Sequence, residues 1–191
     1  MAERHAGPVR VGLIVGSVRD GRRAPDVASW VLDGSRARDD LDVRVLDLLD
    51  FDLPVMTAAV QPMRAARTYD DDRVTSWSRA VDDCEAFILL TPEYNHGVPG
   101  ALKNAVDHLG PEWVGKAVAF VSWGSEGGVR AVEQWRAILS NFQMTDVRQQ
   151  VALSTFYDYE HGQLNAGDRR QAQLDGLLDQ LVEAAVRLRR N

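Results

Sequence analysis

The stretch Thr91-Pro-Glu-Tyr-Asn-His-Gly-Val-Pro-Gly-Ala-Leu-Lys-Asn-Ala-Val-Asp-His-Leu109 decides the fold of this chain. The apolar run before it, residues 86–90, predicts a buried strand, and a polar loop rich in turn residues follows. A helix is predicted to begin at Pro99, because proline lacks an N–H that would have no partner in the first turn. The apolar residues of this helix recur at i, i+3, i+4 and i+7, and they are Leu102, Ala105, Val106 and Leu109. The unit is therefore a strand, a loop and a helix.

The loop of this unit is a candidate binding loop. Glu93, Tyr94 and Asn95 follow the predicted strand almost directly. In parallel α/β sheets, ligands bind at the carboxyl ends of the strands, where such loops lie. We therefore expect this loop to contact a ligand.

Strand and helix patterns alternate along the whole chain. Strands are predicted at residues 9–15, 42–46, 86–90, 116–122 and 147–153. Helices are predicted at residues 26–32, 73–84, from 99, at 129–142 and from 168, after an irregular lead at 1–8. Five strands interleaved with five helices predict a single domain, residues 1–191, in which helices cover both faces of a parallel sheet.

The connection between the second strand and the second helix, residues 48–72, is long for a compact domain. It carries large apolar residues, which are Phe51, Leu53, Val55, Met56 and Met63. The segment is too apolar for a solvent-exposed loop, and its apolar residues are too irregularly spaced for a helix or strand of the core. Exposed apolar patches mark interfaces, so we expect this segment to contact a second subunit.

Composition narrows the classes of function. The 191 residues carry a formal net charge of −6, which argues against general nucleic-acid binding and against an anionic membrane surface. One cysteine excludes an internal disulfide. No apolar run approaches ~18 residues, and the N-terminus lacks a signal-peptide pattern, so we expect a cytoplasmic protein that is not bound to a membrane.

The first predicted strand ends in Gly16-Ser-Val-Arg-Asp-Gly-Arg-Arg23, directly before a helix. This loop combines backbone N–H groups, a serine hydroxyl and three arginines with a helix N-terminus, and all of these suit an anion. Its spacing differs from both the P-loop and the Rossmann motif, which favours a monophosphate over ATP or NAD. A solvated basic turn is the alternative interpretation.

A third polar loop, Ser122-Trp-Gly-Ser-Glu-Gly-Gly-Val-Arg130, follows the fourth predicted strand. Its glycines permit positive φ angles and a close approach of the backbone to a flat ligand. The alternative is a flexible turn between a strand and a helix.

The three loops together resemble a known family. The pattern P-E-Y-N…P-G-x-L-K-N-A-x-D, with the other two loops in the expected order, is similar to that of the NADPH-dependent FMN reductases. These include chromate, quinone and azo-dye reductases of the flavodoxin-like fold. The resemblance spans about residues 11–142, and it implies a three-layer α/β sandwich with a five-stranded parallel sheet of order 2-1-3-4-5.

The resemblance also implies contacts with FMN. The residues it assigns are Ser17, Arg19 and Arg22 at the phosphate, Pro92, Glu93, Tyr94 and Asn95 at the flavin ring, and Ser122, Gly124 and Ser125 beside the pyrimidine edge. Many members have a second serine where this chain has Arg22. No side chain is expected to act as a catalytic group, because the cofactor carries the chemistry.

The expected function is an FMN-dependent oxidoreductase that passes hydride from NADPH or NADH to a small-molecule acceptor. A quinone, an azo compound, a metal oxyanion or free flavin would serve as that acceptor. Two alternatives remain open, a flavodoxin-like electron carrier without its own NADPH site and a flavin reductase that serves a monooxygenase. The resemblance further implies a homodimer or a dimer of dimers, in which the second subunit borders the flavin.

Other residue types are expected to be structural. Cys84 precedes a buried strand and has no basic neighbour in sequence, which favours an inert, packed thiol. The four histidines show no metal-ligand spacing. Trp30, Trp77 and Trp135 lie in helical patterns and are expected in the core or at an interface, whereas Trp123 is placed in the glycine-rich loop.

Overall fold

A parallel β-sheet forms the centre of the molecule. The computed structural model describes residues 7–189, so the predicted irregular lead lies outside the described residues except for Gly7 and Pro8. The strands are β1 (Val9–Val15), β2 (Leu41–Asp47), β3 (Ala86–Pro92), β4 (Ala117–Gly124) and β5 (Thr145–Ser154). Their order is β2-β1-β3-β4-β5 and every pairing is parallel. The predicted flavodoxin-like topology is confirmed.

Helices cover both faces of this sheet. In the described residues they are α1 (Ala24–Ser35), α2 (Leu48–Phe51), α3 (Asp72–Asp82), α4 (Gly100–Asp107), α5 (Val129–Ser140) and α6 (Gly167–Arg189). The apolar faces of α1 and α6 pack on one side of the sheet, and those of α3, α4 and α5 pack on the other. Strand β3 is therefore buried at every position, as a central parallel strand requires. None of these helices is long and apolar enough to cross a membrane.

Some element boundaries differ from the sequence predictions. Pro99 is the N-cap of α4, with extended backbone angles (φ −66°, ψ 132°), and Gly100 is the first helical residue. Helix α3 ends at Asp82, two residues early, because the N–H of Cys84 bonds to the Val81 carbonyl in a tightened last turn. Strand β5 begins two residues earlier than predicted, and its register against β4 shifts between Val118 and Phe120.

Short elements escaped the sequence patterns because each spans only two to four residues, too few for a hydrophobic pattern to repeat. The long connection contains α2 and a 3₁₀ turn at Pro62–Arg64. An antiparallel hairpin of β6 (Tyr159–Glu160) and β7 (Gln163–Leu164) lies between β5 and α6.

The long connection is held firmly against the domain. The Asn104 amide donates to the Pro54 carbonyl at 2.8 Å and accepts from the Met56 N–H at 2.9 Å. Nε2 of His108 donates to the same Pro54 carbonyl at 2.8 Å. Farther along, the buried Glu112 carboxylate accepts from the Tyr69 hydroxyl at 2.7 Å. The connection is therefore an ordered part of the surface.

The apolar residues of the connection divide into two groups. The Phe51 ring packs edge-on against Trp77 at 4.9 Å, and Leu53 packs against the same core. This corrects the expectation that the whole set lies at a surface. Val55 and Met63 remain exposed, and Val55 retains 79% of its accessible surface.

Cys84 should be chemically inert in the folded protein. Its thiol is buried and donates to the Ala80 carbonyl at 3.3 Å, and burial raises its pKa to about 11. The reactive form of cysteine is the thiolate, so we expect no labelling of the native chain by a thiol reagent such as DTNB at about pH 8. In denaturant, one thiol per chain should react. Fast labelling of the native protein would contradict this expectation.

Candidate active site

The loops after β1, β3 and β4 meet at one edge of the sheet, as parallel pairing requires. The Ser17 hydroxyl and the Tyr94 hydroxyl are 2.8 Å apart, a hydrogen bond that joins the first loop to the second. The Glu93 N–H donates to the Trp123 carbonyl at 2.9 Å, which joins the second loop to the end of β4. All three predicted binding loops therefore form one continuous surface.

The first loop is rich in unused hydrogen-bond donors. Backbone N–H groups from Ser17 to Arg23 donate to no other group among the described residues. Arg23 is the N-cap of α1 and its side chain does not cap the helix. Unsatisfied N–H groups and the helix dipole favour an anion here. Gly16 makes the loop's position possible, because a Cβ there would lie 2.7 Å from the Leu90 carbonyl oxygen.

Two arginines of this loop behave differently. Arg22 donates to both carboxylate oxygens of Asp47, at 2.7 and 2.6 Å, and to the Ser17 carbonyl at 2.7 Å. These bonds fix the loop to the end of β2, and a direct contact of Arg22 with an anion stays a prediction. Arg19 is exposed, has no carboxylate partner among the described residues, and lies 5.7 Å from the centre of the Tyr94 ring. Its guanidinium is available to a ligand.

The second loop is a tight two-residue turn. Tyr94 and Gly97 exchange backbone hydrogen bonds of 3.1 and 3.0 Å. Between them, Asn95 and His96 have φ angles of 50° and 65°. Asparagine and histidine are enriched in this left-handed region among residues with a Cβ, but the conformation still costs free energy. The turn projects the exposed Asn95 side chain from the edge of the sheet.

Helix α5 clamps the second loop with two side chains that sequence reasoning missed. The Gln134 amide donates to the His96 carbonyl at 2.9 Å and accepts from the Val98 N–H at 3.3 Å. The Arg130 guanidinium pairs with the Glu93 carboxylate, which also accepts from the Arg130 N–H at 3.1 Å. Their i, i+4 spacing on one helix face was the available signal.

Two of the residues assigned to the flavin ring, Pro92 and Glu93, are buried or paired within the protein. The Glu93 carboxylate is almost fully buried and is occupied by Arg130. Pro92 is buried as the last residue of β3. Both residues therefore shape the loop. The Asn95 side chain is exposed to a ligand, and the half-buried Tyr94 bonds to Ser17 through its hydroxyl.

The glycine-rich loop is shaped by packing. A Cβ on Gly127 would lie 2.9 Å from the Cβ of Ala152, and one on Gly128 would lie 2.9 Å from the Trp123 nitrogen. Both residues also have positive φ angles, 73° and 75°. Here the glycines let the loop lie close against β4 and β5, and the close approach of a flat ligand stays a prediction.

The three residues assigned in this loop differ in exposure. The Ser122 hydroxyl is buried and donates to the Gly127 carbonyl at 2.6 Å, so it holds the loop together. Gly124 is half-buried, and Ser125 is exposed. Trp123 is buried in β4, which corrects its placement in the loop. Within the described residues, no group of His, Cys, Asp and Glu side chains is arranged to hold a metal ion.

Comparison with known proteins identifies this arrangement. The family model for NADPH-dependent FMN reductases matches residues 9–158. The chain belongs to this family. It is 35% identical over 145 residues to an NAD(P)H-dependent FMN reductase of Saccharomyces cerevisiae, covering 71% of this chain and 76% of that protein. It is 43% identical over 129 residues to one from Nectria sp, covering 65% of this chain and 64% of that protein.

Solved structures agree with the fold. A flavoenzyme NAD(P)H:(acceptor) oxidoreductase from Paracoccus denitrificans superimposes with a TM-score of 0.72 at 19% identity, over 92% of this chain and 98% of that one. An NADH:FMN oxidoreductase in its apo form has a TM-score of 0.66 at 21% identity, over 92% of this chain and 89% of that one.

Family membership identifies the protein as an oxidoreductase with FMN as its cofactor and NAD(P)H as its reductant. The residues present fit that cofactor. Within residues 7–189, the first loop offers N–H groups without a partner and an unpaired Arg19 at a helix N-terminus, which is the donor set that a phosphate monoester requires.

The two arginines of the first loop should separate in their effects. Arg22→Gln removes the partner of a largely buried carboxylate, so we expect the free energy of unfolding to fall by about 1–3 kcal/mol. Arg19→Ala should leave stability unchanged and weaken FMN binding by about tenfold to 100-fold, because a charge-assisted hydrogen bond is lost. Urea unfolding and FMN titration measure the two quantities. Equal effects of the two substitutions on both measurements would refute this division.

Proposed function

We propose that the protein passes hydride from NADPH or NADH through bound FMN to a small-molecule acceptor. The observation that carries this proposal is the Ser17–Tyr94 hydrogen bond, which joins an anion-receptive loop to the loop of half-buried Tyr94 and exposed Asn95 at one edge of the sheet. A phosphate at the first loop and a flavin ring across the other two loops would occupy this surface together. All of residues 1–191 would act as one FMN-binding domain.

Each assigned residue has a role in this proposal. Arg19, the Ser17 hydroxyl and the N–H groups of the first loop bind the phosphate, and Arg22 fixes that loop. Tyr94 and Asn95 border the ring, while Glu93 and Pro92 hold their turn in place. Gly124 and Ser125 lie beside the pyrimidine edge, over a loop closed by Ser122. FMN supplies the hydride and electron chemistry, and backbone dipoles at fixed positions favour the charge that reduction creates.

The proposed acceptor is a small planar or anionic oxidant. Supporting this, a quinone reductase of Pseudomonas putida is 30% identical over 187 residues, covering 90% of this chain and 92% of that protein. An NADPH azoreductase of Bacillus sp. is 33% identical over a shorter stretch of 87 residues. Exposed Asn95 and Ser125 leave the proposed ring site open to such molecules. Since the reductant is a nucleotide of the cell interior, we propose a cytoplasmic location.

Flavin reduction tests the proposal directly. The FMN-loaded chain mixed with NADPH under anaerobic conditions should lose its flavin absorbance within seconds, and added quinone should restore it. Nicotinamide and acceptor would use the same exposed site in turn, so initial rates should give parallel double-reciprocal plots.

Three other outcomes are informative. Intersecting plots, or full activity without flavin, would refute the mechanism. Bleaching that requires a separate reductase would point to an electron carrier. A relative named as a subunit of an NADH-dependent flavin reductase, 31% identical over 113 residues, makes free flavin the acceptor to assay beside quinones. A strong preference for it would favour a flavin reductase that serves a monooxygenase.

We also propose a homodimer, or a dimer of dimers, built on the long connection. Val18, Leu49 and Val55 keep between 39% and 79% of their surface exposed. They line an open cleft of about 520 Å³ beside the first turns of α4. Asn104 and His108 hold the backbone on either side of Val55, and an exposed apolar patch that is fixed beside a binding site suits a second subunit.

The substitution Val55→Asp should separate the subunits and lower activity, because a charge replaces apolar surface at the proposed contact. Val114→Asp is the matched control, since Val114 is also exposed but precedes β4 at the opposite end of the sheet. Light scattering beside a rate assay across a dilution series measures both effects. A wild-type chain that is monomeric at micromolar concentration with full activity would exclude this assembly.

A further inference from the structure

Arg23 is the third arginine of the first loop, and its surroundings differ from those of the other two. It is the N-cap of α1 and is half-buried. Within residues 7–189 its guanidinium makes no ion pair and no hydrogen bond, in contrast to Arg22. The guanidinium carbon lies 4.5 Å from the centre of the Tyr159 ring.

Tyr159 is fixed in place by the end of β5 and the start of α6. The carboxylate of Asp158, its neighbour, accepts from the Ser154 N–H at 2.7 Å and pairs with Arg170 at 2.8 Å. The Asp158 carbonyl accepts from the Asn165 N–H at 2.8 Å and closes the base of the β6–β7 hairpin. The Tyr159 ring itself is partly buried against the core beneath α1 and α6.

The contact between these residues is made through the ring face. The Tyr159 hydroxyl is shielded from water and has no partner among the described residues. Burial raises the pKa of Tyr159 to about 12, so the ring is neutral at physiological pH. A guanidinium stacked on an aromatic face keeps its N–H donors in the plane of the group, where they can still reach an acceptor.

This arrangement leaves a positive charge in need of an anion. A half-buried cation without a counter-ion is costly, and the nearest acidic residue in its own helix, Asp26, is exposed in the first turn. The N–H groups of Ser17 to Arg23 are equally unused. A phosphate at the start of α1 would satisfy both sets of donors.

We propose that Arg23 is a second arginine that binds the phosphate of FMN, and that Tyr159 is the positioning residue that orients it. This inference rests on the proposed function. Tyr159 directly follows the segment, residues 9–158, that the family model matches. An arginine oriented in this way would favour the phosphorylated cofactor over riboflavin.

The test compares FMN with riboflavin, which lacks the phosphate. The full-length chain, freed of flavin, is titrated with each ligand, and the quenching of flavin fluorescence gives the dissociation constants. Arg23→Gln should raise the FMN constant by about tenfold to 100-fold and leave the riboflavin constant unchanged. Arg148→Gln, the same charge change at an exposed site on β5, is the matched control and should change neither constant.

Two substitutions of Tyr159 separate the ring from its hydroxyl. Tyr159→Leu removes the aromatic face and should raise the FMN constant about threefold to tenfold. Tyr159→Phe keeps the face and removes only an unpartnered hydroxyl, so it should bind FMN like the wild type. Thermal melts of the flavin-free variants establish that each is folded.

The outcomes distinguish this inference from the proposed function. A wild-type chain that binds no FMN would refute the proposed function and this inference with it. Normal wild-type binding with an unchanged FMN constant in Arg23→Gln would refute the inference alone. Equal losses of affinity for FMN and for riboflavin would refute the inference, because Arg23 and Tyr159 would then support the fold and would not recognise the phosphate. If Tyr159→Phe binds as weakly as Tyr159→Leu, the ring face is not the orienting contact.

Discussion

The burial of β3 between two helical layers is the constraint on which the rest of the structure depends. Every residue from Ala86 to Pro92 is buried, and the strand is paired on both sides, with β1 and β4. A strand without an exposed edge or face can satisfy its backbone only through these two neighbours. Because both pairings are parallel, the loops after β1, β3 and β4 must leave the sheet at the same edge. The candidate active site follows from this core requirement.

The loops at that edge are held by bonds that leave their ligand-facing groups free. Asp47 binds Arg22, Arg130 binds Glu93, and Gln134 binds the turn at His96. The backbone of Asn95 and His96 keeps its left-handed φ angles because the surrounding hydrogen bonds hold the turn in this conformation. Donors fixed in this way need little reorganisation when a charged ligand arrives, which is the physical basis of preorganisation.

Hydrophobic pattern was sufficient to predict the sheet and the longer helices from sequence. Both boundaries of strand β1 were predicted correctly, and β3 was predicted from its continuous apolar run. Pattern could not reveal pairings between distant side chains. Arg22 and Arg19 are the same residue type in the same loop. Only Arg22 has a structural role, because the end of β2 brings Asp47 within its reach. In the same way, the sequence indicated that the loop needs glycines at positions 127 and 128. It could not show that the reason is their close approach to Ala152 and Trp123, which only the folded structure reveals.

Local pairing also explains how a chain with a formal net charge of −6 can receive a phosphate and a nucleotide. Charges separated by more than about 8 Å are largely screened at physiological ionic strength, so the field at a site is set by its immediate neighbours. Of the arginines at this edge, Arg22 and Arg130 are neutralised by Asp47 and Glu93. Arg19 and Arg23 instead lie against the aromatic rings of Tyr94 and Tyr159. An aromatic face holds a cation without cancelling its charge, whereas a carboxylate holds the cation and also neutralises it. The positive potential of the first loop therefore comes from the choice of partner for each arginine, which the overall acidity of the protein does not reveal.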